Sequence, residues 1–579
     1  MKTLTKGQKV SQGIGIGKAY LYRHYEPRIV ENFIDAQKAE DEIVAYQITK
    51  KRAMEEIQKI HDMLLDLNDE KAKIFKAHLD IVDDVAIDEE IAMHIKDSHY
   101  TYTYAIHLVY DMFIEMFSQV EDELIQERVA DLKDVKLRLL RISDGVEESN
   151  LATFNEDKIV IANDLYPSDT ATLNRRFVKG IITEVGGKTS HTAIIAKSYE
   201  IPAILGVSDA MIDIKDNDVI IVDAIKDIIV INPDESTLNT YRLIQQENLD
   251  QKEKIKKYLN KTSITKDNVK IDLSINVGSA SQEELSFEPY VDGIGLFRTE
   301  FLYMESDTMP SEEKQFHVYK KALSHFKNKP VILRTLDIGG DKTLKYMALP
   351  KEDNPFLGKR AIRLCFDHLD MFKTQLRAAL RASVFGNLWL MFPMVGSIDD
   401  ILKLKILFNE VKQELDNENI AYHKDVKFGV MIEIPALIMI ADMVCDLVDF
   451  ASIGTNDLTQ YLTAVDRMNQ DIASYYQNYA PSVFRTIKII ADEFNQKHKP
   501  LSVCGELGGD LIGAPILAGL GIHKLSMNAT SVAKIKQMLH HYTYDELKNM
   551  ADQIIQFKSE QEIIDYVLKS HKEKGVNDV

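Results

Sequence analysis

Apolar residues recur at helical spacing through residues 28–144. Phe75, Leu79, Val82 and Ala86 stand three or four positions apart, as on one face of a helix, with acidic residues between the later ones. This stretch contains no glycine and no proline, although the chain has 26 and 14 of them, and these two residues disfavour helices most. The pattern therefore predicts an all-helical unit.

Strand-like runs lie on both sides of this helical stretch, in residues 8–22 and 158–231. Each run is short for a domain of its own. We therefore expect one α/β domain, residues 1–26 and 145–232, that is interrupted by a helical domain of residues 27–144.

The segment Gly13-Ile14-Gly15-Ile16-Gly17 superficially resembles a dinucleotide-binding loop. Such a loop needs a strand before it and a helix after it, and neither is visible here. We interpret the segment as a β-turn or bulge.

A polar stretch with helical character follows Asn232-Pro233. Residues 233–265 contain few large apolar side chains, so they predict either a helical linker between mobile units or a plain surface helix.

From residue 266 onward, strand-like runs alternate with helical stretches. Eight such runs over about three hundred residues predict a (β/α)8 barrel in residues 266–579. A doubly wound open sheet is the alternative. The eight runs are residues 269–277, 293–298, 331–338, 388–395, 428–434, 450–454, 501–505 and 524–527.

Composition restricts the class of protein. With 579 residues, 45% hydrophobic and 28% charged, the chain is long enough for several cores. It has no apolar stretch near the length of a membrane span, residues 1–6 lack the hydrophobic segment of a signal peptide, and its three cysteines show no metal-ligand spacing. We expect a cytoplasmic protein. Its formal net charge of -20 disfavours a nucleic-acid partner.

Negative charge is concentrated in the helical stretch. Residues 28–144 hold 15 Lys and Arg against 27 Asp and Glu. This surplus is either an ordinary solvated surface or an acidic face, including Asp83-Asp84 and Asp88-Glu89-Glu90, that steers a basic protein partner.

Polar residues follow the predicted barrel strands. The carboxyl ends of the strands gather the active-site groups in a (β/α)8 barrel. The series therefore predicts a catalytic site. It consists of Asn276, Arg298, Glu300, Arg334, Asp337, Glu433, Asn456, Asp457, Cys504, Glu506 and Asn528.

The chemistry of these groups suits a small phosphorylated or carboxylated ligand. Arg298 and Arg334 can grip phosphate or carboxylate with two hydrogen bonds each. Glu433 and Asp457, on neighbouring strands, supply hard oxygen ligands for Mg²⁺, or else form salt bridges at the rim. Cys504 is either inert packing or a weak acid that hands a proton to carbon.

One histidine lies where a phosphoryl group could be received. Residues 181–185 predict a strand, the glycine pair Gly186-Gly187 a tight turn, and residues 193–199 a helix with His191 in its first turn. A helix N-terminus stabilises an anion and disfavours a protonated imidazole, so His191 can be a neutral nucleophile. The alternative is a histidine that only caps the helix.

Five segments resemble blocks of the phosphoenolpyruvate-utilising enzymes, in the same order and over nearly the whole chain. The resemblance implies a swivelling α/β phosphohistidine domain with an inserted helical bundle, followed by a (β/α)8 barrel that binds phosphoenolpyruvate. The segments are residues 186–197, 292–302, 334–342, 354–358 and 449–461.

The resemblance also implies roles for single residues. Phosphoenolpyruvate would be clamped by Arg298, Arg334 and Arg467 and hydrogen-bonded by Asn456. Mg²⁺ would be held by Glu433 and Asp457. The supporting residues are Thr170, which would hydrogen-bond the histidine, and Arg360.

The reaction implied by the family has two stages. His191 takes the phosphoryl group through Nε2, and Cys504 protonates the leaving enolate to pyruvate. His191 then passes the group to a histidine of the small phosphocarrier protein HPr, docked on the helical insertion, which is the first general step of phosphoenolpyruvate-dependent sugar uptake. The barrels form a homodimer in this family.

Four residues depart from the family pattern. Lys133, Lys188 and Lys197 stand where arginine is common, which keeps the charge but loses the two-pronged hydrogen bonding that matters for partner affinity. Gln12 replaces a usual proline, and we assign it no functional consequence.

Two other functions compete with this one. A synthase or dikinase that phosphorylates its histidine from a nucleotide shares the motifs, but the chain has no glycine-rich nucleotide segment or spare length. A non-catalytic protein that senses phosphoenolpyruvate would be a binding module that uses the acidic helices. The intact set of site residues argues against it: Arg298, Arg334, Glu433, Asp457, Cys504 and His191.

Overall fold

The protein is described by a computed structural model in two compact units, Met1–Asn248 and Leu249–Val579. The residues described are 2–5, 7–23, 25, 27–66, 72–118, 123–146, 151, 154–166, 169–170, 173–187, 190–304, 306, 308–339, 342, 344, 346–347 and 352–576.

The insertion in the first unit is helical, as predicted. Phe75, Leu79 and Val82 are buried in its core, but Ala86 is exposed. The helix breaks before it, because the Asp84 side chain accepts hydrogen bonds from the next N–H groups and begins a new helix. The helices are α1 Ala39–Asp66, α2 Ala72–Val82, α3 Val85–Asp97, α4 Tyr102–Ser118 and α5 Glu123–Ser143.

An eight-stranded mixed sheet forms the rest of the first unit, with the order β1-β8-β7-β3-β4-β5-β6-β2 among the described residues. Strands β3 to β6 are parallel to one another and the other pairings are antiparallel. The strands are β1 Lys2–Leu4, β2 Gln8–Ser11, β3 Ile14–Tyr22, β4 Lys158–Ala162, β5 Val178–Thr183, β6 Ala203–Leu205, β7 Val219–Asp223 and β8 Ile228–Ile231, with helices α6 His191–Ser198 and α7 Ala210–Asp213.

The glycine-rich segment is mainly strand, which corrects the prediction of a β-turn or bulge. Only Gly13, at φ 140°, lies outside the strand, in a bend, and β2 precedes the segment. Gly15 lies within β3, where a Cβ would collide with the carbonyl of Lys179 on the neighbouring segment. Glycine is needed there because the backbones approach so closely.

A single long helix, α8 Glu235–Lys256, occupies most of residues 233–265. Its first half is no plain surface helix. Leu238, Tyr241 and Ile244 pack on an apolar cluster of the sheet, and Gln245 Nε2 donates to the carbonyl of Ile14 at 2.8 Å.

The second unit is a closed barrel of eight parallel strands, so the predicted (β/α)8 fold is confirmed and the open sheet was wrong. The strands are β9 Asp272–Val277, β10 Gly293–Arg298, β11 Pro330–Arg334, β12 Asn387–Phe392, β13 Lys427–Ile432, β14 Phe450–Ile453, β15 Leu501–Val503 and β16 Lys524–Met527.

Helices surround this barrel. They are α9 Gln282–Leu285, α10 Glu300–Met304, α11 Glu312–Phe326, α12 Ile362–Asp367, α13 Leu369–Ala382, α14 Ile398–Asn417, α15 Pro435–Ile438, α16 Ala441–Leu447, α17 Thr455–Thr463, α18 Pro481–Gln496, α19 Gly513–Gly519, α20 Val532–His541, α21 Tyr544–Ile554 and α22 Glu560–Lys574. Among the described residues, no helix is long and apolar enough to cross a membrane.

Strand β11 ends earlier than the strand-like run that predicted it. The run predicts a strand to residue 338, but β11 ends at Arg334. Beyond it, the N–H of Leu336 donates to the side chain of Gln375 on α13 instead of to a neighbouring strand. Apolar residues alone do not show where a side chain replaces the ladder partner.

Candidate active site

The charged residues of the predicted site lie at the carboxyl end of the barrel. Arg298 and Arg334 end β10 and β11, and Glu433 follows β13. Gly454 follows β14, and a Cβ there would lie 2.7 Å from Glu433 Oε2. The glycine therefore leaves space for this carboxylate.

Arg334 is held by two carboxylates. Its guanidinium pairs with Glu300 and lies 3.0 Å from Asp337 Oδ2. Burial alone would lower the pKa of Arg334, but these two carboxylates outweigh it and raise the pKa. The side chain is thus fixed in position as a permanent cation.

Asp337 connects Arg334 to Arg360, which donates to it at 2.9 and 3.1 Å. Although burial opposes ionisation, Arg334, Arg360 and Lys342 hold the pKa of Asp337 well below its usual range. Arg360 is itself buried and lies 3.5 Å from Asp457, so its contacts are those of a positioning residue.

Arg298 differs from these arginines. Among the described residues no carboxylate lies within 4.0 Å of its guanidinium. Burial, and secondarily the like charge of Arg334, lower the pKa of Arg298. A partly buried cation next to a second cation is a site for an anion, which would relieve both effects.

Glu433 and Asp457 form the second feature of this site. Glu433 Oε1 accepts from the N–H of Met394 at 2.6 Å, while the buried Glu433 Oε2 and Asp457 Oδ1 have no hydrogen-bond donor among the described residues. Burial, followed by the charges of Asp457 and Asp337, raises the pKa of Glu433 to about 8.

The open Oε2 of Glu433, beside Asp457, fits a divalent cation, which would relieve the repulsion between the two carboxylates, although Arg360 and Arg467 already lie 3.5 and 3.8 Å from Asp457 Oδ1. No group of three or more His, Cys, Asp or Glu side chains in the described part of the chain could hold a metal. Two carboxylates leave coordination positions for substrate and water, as Mg²⁺ prefers.

Asn456 and Arg467 lie beside this pair. Asn456 Oδ1 accepts from the N–H of Glu506 at 3.1 Å. Arg467 is 3.8 Å from Asp457 Oδ1 and packs against the ring of Phe356, which Arg360 also contacts. The segment of residues 354–358 therefore supports Arg360 and Arg467 at the carboxyl end of the barrel, which we call the mouth.

Cys504 is buried inside the barrel, just after β15. Its thiol points toward the carbonyl of Ile453 at 3.7 Å, and burial raises its pKa. The group therefore keeps its proton at neutral pH, as a proton donor must. Its apolar neighbours are Leu296, Ile332, Met391, Met431 and Phe450.

His191 is the first residue of α6 in the first unit. The helix is capped by Ser190, whose hydroxyl accepts from the N–H of Ala193 at 3.2 Å, so the interpretation of His191 as the cap was wrong. The imidazole lies outside the described residues. Thr170 is buried and donates to the carbonyl of Tyr166 at 3.4 Å.

The predicted residues thus divide between the units. His191 and Thr170 belong to the first unit and the remaining site residues to the second. Lys133 and Lys197 are exposed, on α5 and α6. Lys188 lies outside the described residues.

Three groups that support the site were not predicted from the sequence. Lys342 Nζ lies 3.1 Å from Glu300 Oε1, and Tyr461 donates to the carbonyl of Phe356 at 2.6 Å. Both lie in the recognised segments, which could have signalled them. The Met394 N–H could not be foreseen, because a backbone group carries no sequence signal.

Three family models match the chain: PEP-utilising enzyme, N-terminal, over residues 6–128, the mobile domain over 154–227, and the PEP-binding domain over 252–544. The phosphoenolpyruvate-protein phosphotransferase of Priestia megaterium is 40% identical over 562 residues, 97% of this chain and 98% of its own. That of Bacillus subtilis (strain 168) is 39% identical over 568 residues, 98% and 99% of the two chains. A solution structure of the Enzyme I (nEIt) protein aligns with 42% of this chain and 99% of its own at 38% identity, with a TM-score of 0.40.

Proposed function

This chain belongs to the phosphoenolpyruvate-utilising enzymes, among the phosphoenolpyruvate-protein phosphotransferases, and we propose that it transfers the phosphoryl group of phosphoenolpyruvate first to His191 and then to a histidine of HPr. Pyruvate is released in the first stage. The reaction is the first general step of phosphoenolpyruvate-dependent sugar uptake.

The unmatched cation of Arg298 carries the proposal for the donor site. Phosphoenolpyruvate presents a phosphate and a carboxylate close together, and Arg298 and Arg334 offer two guanidinium groups at adjacent strand ends. Arg467, which lies 3.8 Å from Asp457 Oδ1, and Asn456 would add further contacts to the ligand. Mg²⁺ held by that pair would supply Lewis-acid charge neutralisation.

The chemical step uses two residues of the chain. His191 Nε2 forms a bond to phosphorus while the bond from phosphorus to the enol oxygen breaks, and the arginines meet the charge on the phosphoryl oxygens. The electron pair left on the enolate takes the proton of the Cys504 thiol at carbon, which gives pyruvate and a thiolate. The positive charge of nearby Arg334 favours that thiolate.

The acceptor stage concerns the first unit. The domain of residues 1–26 and 145–232 carries His191 and would swivel between barrel and acceptor, with residues 233–265 as its linker. Residues 27–144 would dock HPr through their acidic surface. The barrel of residues 266–579 would form the homodimer, and the enzyme would act in the cytoplasm.

The test mixes the full chain with phosphorus-labelled phosphoenolpyruvate, Mg²⁺ and HPr. We expect label on the wild type and on HPr, and no label on either with His191→Ala. The matched control is His317→Ala, an exposed histidine of α11, which should transfer normally. A wild type that remains unlabelled would reject the function.

The rate of pyruvate formation tests the role of Cys504 as the proton donor. Cys504→Ala should slow pyruvate formation about a hundredfold, within the range of general acid catalysis. Cys445→Ala removes a thiol from α16, away from the mouth, and should leave the rate unchanged. Equal rates in the two variants would contradict the assignment of Cys504 as the acid.

A further inference from the structure

A buried hydrogen-bond network connects the carboxyl ends of β10 and β11 to the outer helices α10, α11 and α13. Its side chains are among the most buried polar groups of the described residues, each at most 1% exposed. None of them takes part in the proposed chemistry. They are Thr299, Tyr303, Gln315, Tyr319 and Gln375.

Gln375 is the member that reaches the strand ends. Its Oε1 accepts from the N–H of Leu336 at 2.9 Å, and its Nε2 donates to Thr299 Oγ1 at 3.1 Å and to the Tyr319 hydroxyl at 3.4 Å. Thr299 Oγ1 in turn donates to the carbonyl of Arg334 at 2.9 Å. The amide thus uses its acceptor and both of its donors.

These bonds continue the sheet beyond its last ladder pair. The pairing of β10 with β11 ends at Arg298 and Arg334. Thr299 follows the first arginine directly, and Leu336 is two residues after the second. The side chain of Gln375 therefore joins the two chain segments at the point where the backbone no longer does.

The two arginines repel each other, and Arg298 has no carboxylate among the described residues to hold it. Without Gln375, the strand ends keep the bond from Thr299 to the Arg334 carbonyl and the pairing of Glu300 with Arg334, but the segment beyond Arg334 loses its tie at Leu336 and can shift to relax that repulsion. A bidentate grip on two anionic groups tolerates little such movement.

We propose that Gln375 is a positioning residue that sets the separation of Arg298 and Arg334 for phosphoenolpyruvate. The inference rests on the proposed function, because it takes this pair as the donor site. Gln375 itself touches no substrate, and its effect reaches the arginines through Thr299 and the Leu336 N–H.

The test compares Gln375→Leu with Gln315→Leu. Gln315 is equally buried and satisfies the Tyr303 and Tyr319 hydroxyls and the carbonyl of Pro310, but bonds to neither strand end. Both variants should lose thermal stability. Only Gln375→Leu should raise the KM for phosphoenolpyruvate, by about tenfold or more, the equivalent of ~1.4 kcal/mol of binding free energy.

A graded variant sharpens the result. Gln375→Glu keeps the acceptor for Leu336 but loses the amide donor to Thr299, so its KM should fall between those of wild type and Gln375→Leu. If Gln375→Leu does not fold, Thr299→Val removes the acceptor of the Gln375 amide, together with the bond to the Arg334 carbonyl, and should also raise KM. A KM equal to that of the wild type in the folded variants, or an equal rise in Gln315→Leu, overturns the inference.

Titration calorimetry with phosphoenolpyruvate distinguishes failure of the positioning role of Gln375 from failure of the proposed function. A labelled wild type with unaffected variants rejects the positioning role alone. A wild type that neither becomes labelled nor binds phosphoenolpyruvate rejects the function and the inference together. If it binds without labelling, the dissociation constants of the same variants decide the inference.

Discussion

The barrel mouth and the helical unit are both rich in charge, but they hold it differently. In the mouth, Arg334 and Arg360 share the buried carboxylate Asp337. On the helical unit, the carboxylate of Glu89 is exposed to solvent, and that of Asp83 remains 67% exposed although Lys50 Nζ lies 3.2 Å from it. Buried charges of both signs fix distances and orientations, whereas exposed charges of one sign act over a longer range and are screened by salt.

Pairing inside the helical unit supports this contrast. Arg138 is buried and lies 3.1 Å from Glu56, and the buried His78 lies 3.1 Å from Asp131. These pairs connect helices of the bundle and leave the acidic surplus at its surface. The mouth should therefore control the chemical step, whereas the helical surface should control association with the partner protein.

Removal of Arg298 should produce the largest effect. Arg298→Ala takes away the unmatched cation, so kcat/KM for phosphoenolpyruvate should fall by about 10³-fold, as for lost charge clamps on a phosphoryl group. Steady-state turnover with HPr measures this fall in kcat/KM. Arg377→Ala, on the outer face of α13, is the matched control and should change kcat/KM by less than about twofold. Similar losses of kcat/KM in the two variants would contradict a specific role of Arg298 in binding phosphoenolpyruvate.

Removal of the metal should have the second-largest effect, a loss of labelling from phosphoenolpyruvate. A chelator should stop labelling of the wild type, and added Mg²⁺ should restore it. Glu433→Gln should lower the labelling rate about a hundredfold, because one carboxylate binds the cation poorly. Glu410→Gln, on the outside of the barrel, should behave as wild type. Labelling that survives chelation in full would contradict a metal role for Glu433 and Asp457.

Neutralisation of the acidic surface of the helical unit should have the smallest effect, and this effect should depend on salt. Asp83→Asn with Glu89→Gln should raise the KM for HPr about threefold at low salt, and the difference should vanish near 0.5 M salt. Labelling from phosphoenolpyruvate alone should not change. The control pair is Asp552→Asn with Asp565→Asn on the barrel helices. A salt-independent effect, or an equal effect of the control pair, would count against steering by the helical surface.

Much of the fold could be predicted from the sequence, because its signals are local. The absence of glycine and proline from residues 28–144 predicted helices, and eight apolar runs predicted eight barrel strands. Element ends were less accurate. Ala86 fell beyond a break that Asp84 creates, and β11 ended four residues before its apolar run.

The candidate site shows the same limit. The strand-end pattern pointed to Arg298, Arg334, Glu433 and Cys504, and all four lie at the carboxyl end of the barrel. It treated the two arginines as equivalent. The structure separates them, since Arg334 is held by Glu300 and Asp337 while Arg298 has no such partner among the described residues.

The sequence alone determined the types of element, their order, and the residues offered at each strand end, because helical and strand periodicity act over a few residues. Only the tertiary structure decided which charges neutralise each other and which oxygens stay unsatisfied. Those outcomes depend on neighbours far apart in the chain, such as Gln375 and Thr299 at 76 residues, or Arg360 and Asp457 across the barrel. Burial then makes such contacts strong, because few water molecules remain to compete with them.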